Sequence, residues 1–214
     1  EIAAKLSAIA YMDEAWAISK CKKLGFASAR LVSRGGAEVL IVKDRTDLWF
    51  AFRGTEPSKL NDVLADLKVI KNIAKAGGKV HSGFQEEVDD VWMDIVKTLE
   101  HNDQLKIRKD VYITGHSLGA AMATISATRY NPEELFTFGS PRVGGNLFIK
   151  NIKCPHYRFM NNNDIVCRIP PAFLGFRHHG EMIYFNRLGE KQDGPTWGDM
   201  LYGILQSWKR WKFF

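Results

Sequence analysis

The chain has 214 residues, 45% of them hydrophobic and 25% charged, with a formal net charge of +6. That length and balance fit one globular unit with a sizeable core, so a single domain over residues 1–214 is expected. No apolar run approaches the roughly 18 residues needed to span a bilayer, no basic-then-apolar leader opens the chain, and the three cysteines, Cys21, Cys154 and Cys167, show no spacing for a disulfide framework or a zinc site.

These features describe a soluble protein. The opening Glu1, which is not a Met, leaves its compartment undecided. Scattered reduced thiols are the expected state of the cysteines, with a Cys154–Cys167 bridge the alternative. The positive charge suits approach to an anionic surface such as membrane phospholipid. A nucleic-acid partner is not expected, because no recognised motif is present and no basic-aromatic platform occurs outside the last few residues.

In chain order, the apolar spacing of Ile2, Leu6, Ile9, Ala10, Ala17 and Ile18 predicts a helix from Ile2 to about Lys20. Residues 37–42 and 47–52 read as two strands of a hairpin around Lys43-Asp44-Arg45-Thr46. Residues 60–75 read as a helix stopped by Ala76-Gly77-Gly78, and Phe84 to Leu99 as another. A strand at Val111–Ile113, a helix at Ala120–Arg129 and strands at 135–138, 156–160 and 182–185 follow. Strands alternating with helices predict an α/β fold with a mostly parallel central sheet.

The most informative stretch is Gly115-His116-Ser117-Leu118-Gly119. It fits G-x-S-x-G between a strand and a helix, the context of a nucleophile elbow. Small flanking residues permit a sharp turn, and the helix N-terminus beyond it favours a developing anion. The plain alternative is a Gly-rich turn.

A serine hydroxyl needs a histidine base, and the base needs a carboxylate to orient it. In an α/β-hydrolase these follow the serine in the order acid, then histidine. Asp164, in Asn161-Asn162-Asn163-Asp164, is the leading acid, placed after a predicted strand. Its competing role is an Asx-turn carboxylate, and Glu133, Glu134 and Glu181 are weaker rivals. The base is then His178 or His179, the only histidines after Asp164. The oxyanion needs donors. The Leu118 N–H is one, and Thr55, in Phe52-Arg53-Gly54-Thr55, is the candidate for the other; its plain role is a helix N-cap, and the two roles are compatible.

At this point the chain resembles the class 3, fungal-type lipase family. The matching pieces are Phe52-Arg53-Gly54-Thr55, then Asp62 and Asp66-Leu67, then Val80-His81-Ser82-Gly83-Phe84, then the elbow. Thr137-Phe138-Gly139-Ser140-Pro141-Arg142-Val143-Gly144, Asn163-Asp164-Ile165-Val166 and His178-His179-Gly180 complete the set. The resemblance implies an α/β-hydrolase fold, a Ser117–Asp164–His178 triad and an oxyanion hole from Thr55 and Leu118. It selects His178 over His179. Two departures stand out: Cys167 where a proline commonly follows the acid loop, and Val63 where an aromatic residue is usual.

Leu60, Val63, Leu64 and Leu67 fall on one helical face. Their place between Thr55 and His81 matches the family's short helical lid over the substrate groove, whose apolar side would lie on lipid when open. The C-terminus from Trp197 to Phe214 reads as a helix packed on the sheet, with an aromatic-and-basic interfacial anchor as the alternative. The function implied is hydrolysis of carboxylic esters through an acyl-enzyme on Ser117, most simply acylglycerol lipase, with no metal and no cofactor. Phospholipase A1 and small-ester or feruloyl esterase are the alternatives, since they share the triad. A catalytically inactive lipase-like scaffold is the reading from another class. The partners are a lipid or other ester substrate and, transiently, a lipid interface.

Overall fold

The computed structural model describes residues 1–56, 71–104 and 109–196. The expected lid, with Leu60, Val63, Leu64 and Leu67, and the expected C-terminal helix from Trp197 lie outside them.

The N-terminal helical pattern is realised as two helices. α1 (Ile2–Ile9) ends before Tyr11, and α2 (Glu14–Lys23) begins at Asp13, whose carboxylate accepts the Trp16 N–H at 3.1 Å. An N-cap aspartate starts a new helix because it satisfies an amide that has no intrahelical partner. Lys20, Lys22 and Lys23 in the last turn of α2 complement its negative end. A strand not expected from sequence, β1 (Ser28–Arg34), pairs antiparallel with β2 (Ala37–Lys43), which forms the expected hairpin with β3 (Asp47–Phe52).

Beyond the undescribed 57–70, β4 (Lys71–Ile73) pairs with β5 (Lys79–His81) around the Ala76-Gly77-Gly78 turn. Residues 71–73, read from sequence as the end of a helix, are therefore a strand, because β5 supplies cross-strand hydrogen bonds that local propensity cannot reveal. α3 (Ser82–Gln104) buries Phe84, Val88, Val91 and Ile95 along one face. Next come β6 (Asp110–His116), α4 (Leu118–Arg129), β7 (Glu134–Phe138) and a short helix α5 (Asn146–Ile149). β8 (His156–Asn161), β9 (Glu181–Phe185) and the two-residue β10 (Lys191–Gln192) follow.

Eight strands form one sheet in the order β1-β2-β3-β6-β7-β8-β9-β10. β3, β6, β7, β8 and β9 are mutually parallel, while both edges are antiparallel. Strand alternation divides the core. Val39, Ile41, Phe50 and Phe52 face α3 and α4, whereas Leu40, Val42, Trp49 and Ala51 face α1 and α2. α4 is buried from Leu118 through Ala127. Its alanines let the helix axis lie close to the sheet, and that closeness sets the height of the serine preceding it. Asp89 of α3 ties the helices together, pairing with Arg129 of α4 at 2.6 Å and with Lys75 at 2.8 Å. On the α1 side, aromatic rings stack across neighbouring strands: Trp49 on Tyr112, Phe136 on Tyr157, and Phe138 on Phe159 at centroid distances of 4.5, 5.5 and 4.7 Å. All three cysteines are free and buried, so Cys154 and Cys167 do not pair. No helix among the described residues is long and apolar enough to cross a membrane.

Candidate active site

Ser117 sits at the junction of β6 and α4 with φ 57° and ψ −126°. A non-glycine residue there stores roughly 1–3 kcal/mol of backbone strain, which persists only if the surroundings enforce it. They do. The Ser117 N–H donates to the Phe138 carbonyl at 2.9 Å, and the Ser117 carbonyl accepts the Ala120 N–H at 3.0 Å. A Cβ on Gly115 would overlap the Gly119 carbonyl, and one on Gly119 would overlap the Phe52 carbonyl. The two glycines of the motif are thus required by close backbone approach. The Ser117 side chain is buried, and its Oγ has no hydrogen-bond partner.

The turn after β3 brings Thr55 beside this junction. Gly54 packs against the Gly119 amide, and Thr55 and Leu118 line one cavity of about 280 Å³ together with Arg53, Glu87 and Met122. Arg53 is anchored by Glu38 at 2.5 Å and Glu56 at 2.9 Å. Burial, reinforced by the charge of Asp90, raises the Glu87 carboxyl to about 7.

Asp164 follows β8. Its Oδ1 accepts the Val166 N–H at 2.9 Å, so the Asx-turn role is realised. Its Oδ2 turns toward the end of β7, where it would stand 2.7 Å from a Cβ on Gly139, with His116 Nε2 3.7 Å from the same point. Asp164 and His116 share a largely apolar groove of about 740 Å³, bounded by Phe138, Phe159 and Phe185. Cys167, which replaces the expected proline, lies 3.8 Å from Asp164 Oδ2, and burial followed by that carboxylate pushes its thiol up to about 12.

The expectation that His178 is the base is not met by this arrangement. β9 runs parallel to β8 with Glu181 opposite Tyr157, so the chain enters β9 from the N-terminal ends of the parallel strands, whereas Ser117 and Asp164 follow C-terminal ends. His178 Nε2 donates to the Cys167 carbonyl at 2.8 Å, which fixes the proton on that nitrogen. Burial, then the charge of Arg158, lower the imidazole to about 4. His179 meets His156 ring to ring, Nδ1 to Nδ1 at 3.3 Å, and His156 also bonds Thr137 Oγ1 at 2.8 Å. All six histidines of the chain lie among the described residues, and none is hydrogen-bonded to Ser117 or Asp164. No group of three His, Cys, Asp or Glu side chains among the described residues forms a metal cluster.

Sequence reasoning missed Tyr11. Its hydroxyl meets His116 Nδ1 at 2.8 Å from more than a hundred residues away, and no local pattern announces that contact.

A mostly parallel sheet flanked by helices, with a strained serine between β6 and α4 and a carboxylate after β8, defines an α/β-hydrolase. The family described as Lipase (class 3) matches residues 49–174, and the chain belongs to it. A lipase of Rhizomucor miehei is 34% identical over 165 residues, covering 71% of this chain and 43% of that protein. A secreted mono- and diacylglycerol lipase of Fusarium solani is 36% identical over 110 residues, covering 48% of this chain and 33% of that protein. The chain therefore spans less than half the length of these relatives. The solved triacylglyceride lipase of Rhizomucor miehei superposes with a TM-score of 0.65 at 26% identity, covering 76% of this chain and 69% of that one.

Proposed function

We propose that this protein is a serine ester hydrolase, an acylglycerol lipase in which Ser117 is the nucleophile and residues 1–214 act as one unit. The observation that carries the reading is the strained, buried Ser117 with an unpartnered Oγ at the start of α4. In this reading a base takes the Oγ proton while the oxygen attacks the acyl carbonyl. The Leu118 and Thr55 donors stabilise the oxyanion that forms. The alcohol leaves with the proton, and water then hydrolyses the acyl-enzyme. Asp164 orients the imidazolium. No step calls on a metal or cofactor.

The reading requires an imidazole between Ser117 and Asp164, a place to which no histidine is hydrogen-bonded in this arrangement. His178 fills that role only by leaving the Cys167 carbonyl, so its replacement is informative. Loss of hydrolysis in His178→Ala, restored by free imidazole, would assign the base to His178. Retained activity would assign it to another imidazole.

Lipid esters are favoured as substrates because the named relatives are lipases. The deciding experiment labels the protein with a fluorophosphonate and assays p-nitrophenyl esters of increasing chain length, triolein and phosphatidylcholine. Labelling abolished by Ser117→Ala, with turnover of triolein, is expected. An unlabelled protein would refute the reading, and turnover confined to phosphatidylcholine or short esters would move it to phospholipase A1 or esterase.

A further inference from the structure

Tyr11 lies in the break between α1 and α2, far in sequence from every site residue, yet it touches both halves of the site. Its hydroxyl is 2.8 Å from His116 Nδ1 and 3.5 Å from the His116 carbonyl oxygen. A Cβ on Gly54 would come within 2.6 Å of that hydroxyl, so the loop leading to Thr55 lies directly on the tyrosine. The Arg53 guanidinium stacks over the Tyr11 ring at 5.7 Å. On its far side the His116 imidazole turns toward Asp164, each approaching the same point beside Gly139.

We infer that Tyr11 is a positioning residue that locks the oxyanion loop to the nucleophile elbow and holds His116 with its proton on Nε2, directed at the Asp164 carboxylate. This rests on the hydrolase reading above. The tyrosine has one proton and two acceptors near it, and the shorter approach is to Nδ1. An Nδ1 that accepts leaves Nε2 as the N–H of the neutral ring. That N–H lies on the ring edge nearest Gly139, beside the point that Asp164 Oδ2 also approaches. Neutrality is itself enforced: burial lowers the His116 pKa more strongly than the Asp164 charge raises it. One hydroxyl therefore couples the Thr55 loop, through His116, to the carboxylate on the other side of Ser117.

The sequence offers an independent requirement. His116 occupies the variable position of the G-x-S-x-G pattern, so the elbow turn itself does not call for histidine. A group that both accepts from Tyr11 and donates toward Asp164 is supplied by a neutral imidazole. His116 lines the groove shared with Asp164 and also the adjoining apolar space against Ala4, Ala8 and Tyr11, which places it on the path between them.

The test uses the full chain and two readouts. Tyr11→Phe keeps the ring and its stacking with Arg53 but removes the hydroxyl. We expect kcat on a soluble p-nitrophenyl ester to fall about tenfold with KM changed less than twofold, the pattern of a lost transition-state interaction. Nitrogen-15 NMR of the wild-type imidazoles should show His116 neutral at pH 7 and protonated on Nε2, with its Nδ1 resonance displaced in Tyr11→Phe. An Nδ1–H tautomer in the wild type, or an unchanged kcat in the variant, would overturn the assignment. The tautomer is measured without turnover. A protein that shows it but resists fluorophosphonate would sink the hydrolase reading while leaving the Tyr11–His116 lock standing.

Discussion

Gly119 and Phe52 are pressed backbone to backbone: a Cβ on the glycine would overlap the phenylalanine carbonyl oxygen. This contact joins the first turn of α4 to the end of β3, and so joins Leu118 to the loop bearing Thr55. Gly119→Ala must therefore separate the two oxyanion donors or strain the sheet. We expect a loss of about 2 kcal/mol in urea denaturation together with loss of fluorophosphonate labelling. Wild-type stability and labelling in this variant would show that the contact is slack.

The conformation of Ser117 gives a prediction of opposite sign for stability. Glycine adopts positive φ without a steric penalty. Ser117→Gly should abolish hydrolysis and yet raise the melting temperature, by an amount corresponding to about 1 kcal/mol of released strain. Ser117→Ala, which keeps a Cβ at the same φ, should be inactive without that gain. Calorimetry on the two variants side by side checks the difference.

Thr55 is expected to act on kcat rather than on binding. If its hydroxyl or amide meets the oxyanion only as the tetrahedral intermediate forms, Thr55→Ala should lower kcat by about 10²-fold with little change in KM. A rise in KM alone would place Thr55 in ground-state binding.

The buried histidines His156 and His178 set an acid limit on stability. His178 is lowered to about 4 and His156 to about 3, in both cases chiefly by burial. An unfolded histidine titrates near 6.5, so below that pH the unfolded chain binds protons that the folded state refuses. The associated stability is fully present above about pH 6.5 and is lost progressively as pH falls toward 4 and then 3. Melting temperatures measured from pH 7 to pH 4 should fall, and His156→Gln should flatten the decline. A slope unchanged by that substitution would assign the acid lability to other groups.

Much of the fold is legible in the sequence because local pattern and tertiary role agree. The 37–52 hairpin and the strand–Ser117–helix unit need only alternation, small residues and a glycine pair to be recognised. The failures have a different physics. β1, β4 and β10 are strands because of the partners they meet, and the α1–α2 break depends on one capping aspartate within a continuous apolar pattern. His178 shows the limit most clearly. Its order after Asp164 is readable, but order carries no information about which end of the strands a residue occupies. That is decided by the path of residues 165–180, which returns along the sheet so that β9 can run parallel to β8.

The pairing of β3 with β6 has a consequence for how the molecule is made. Thr55 and Ser117 follow strands that are neighbours in the sheet but are separated along the chain by α3 and the β4–β5 hairpin. Such parallel pairing closes a long loop before any contact rewards it, and is correspondingly slow. The β1–β3 meander and α3 can form from local contacts alone, whereas the nucleophile and its oxyanion donors meet only after that crossover closes. Appearance of fluorophosphonate reactivity during refolding should therefore lag behind the recovery of helical circular dichroism, making chemical competence one of the last properties the chain acquires.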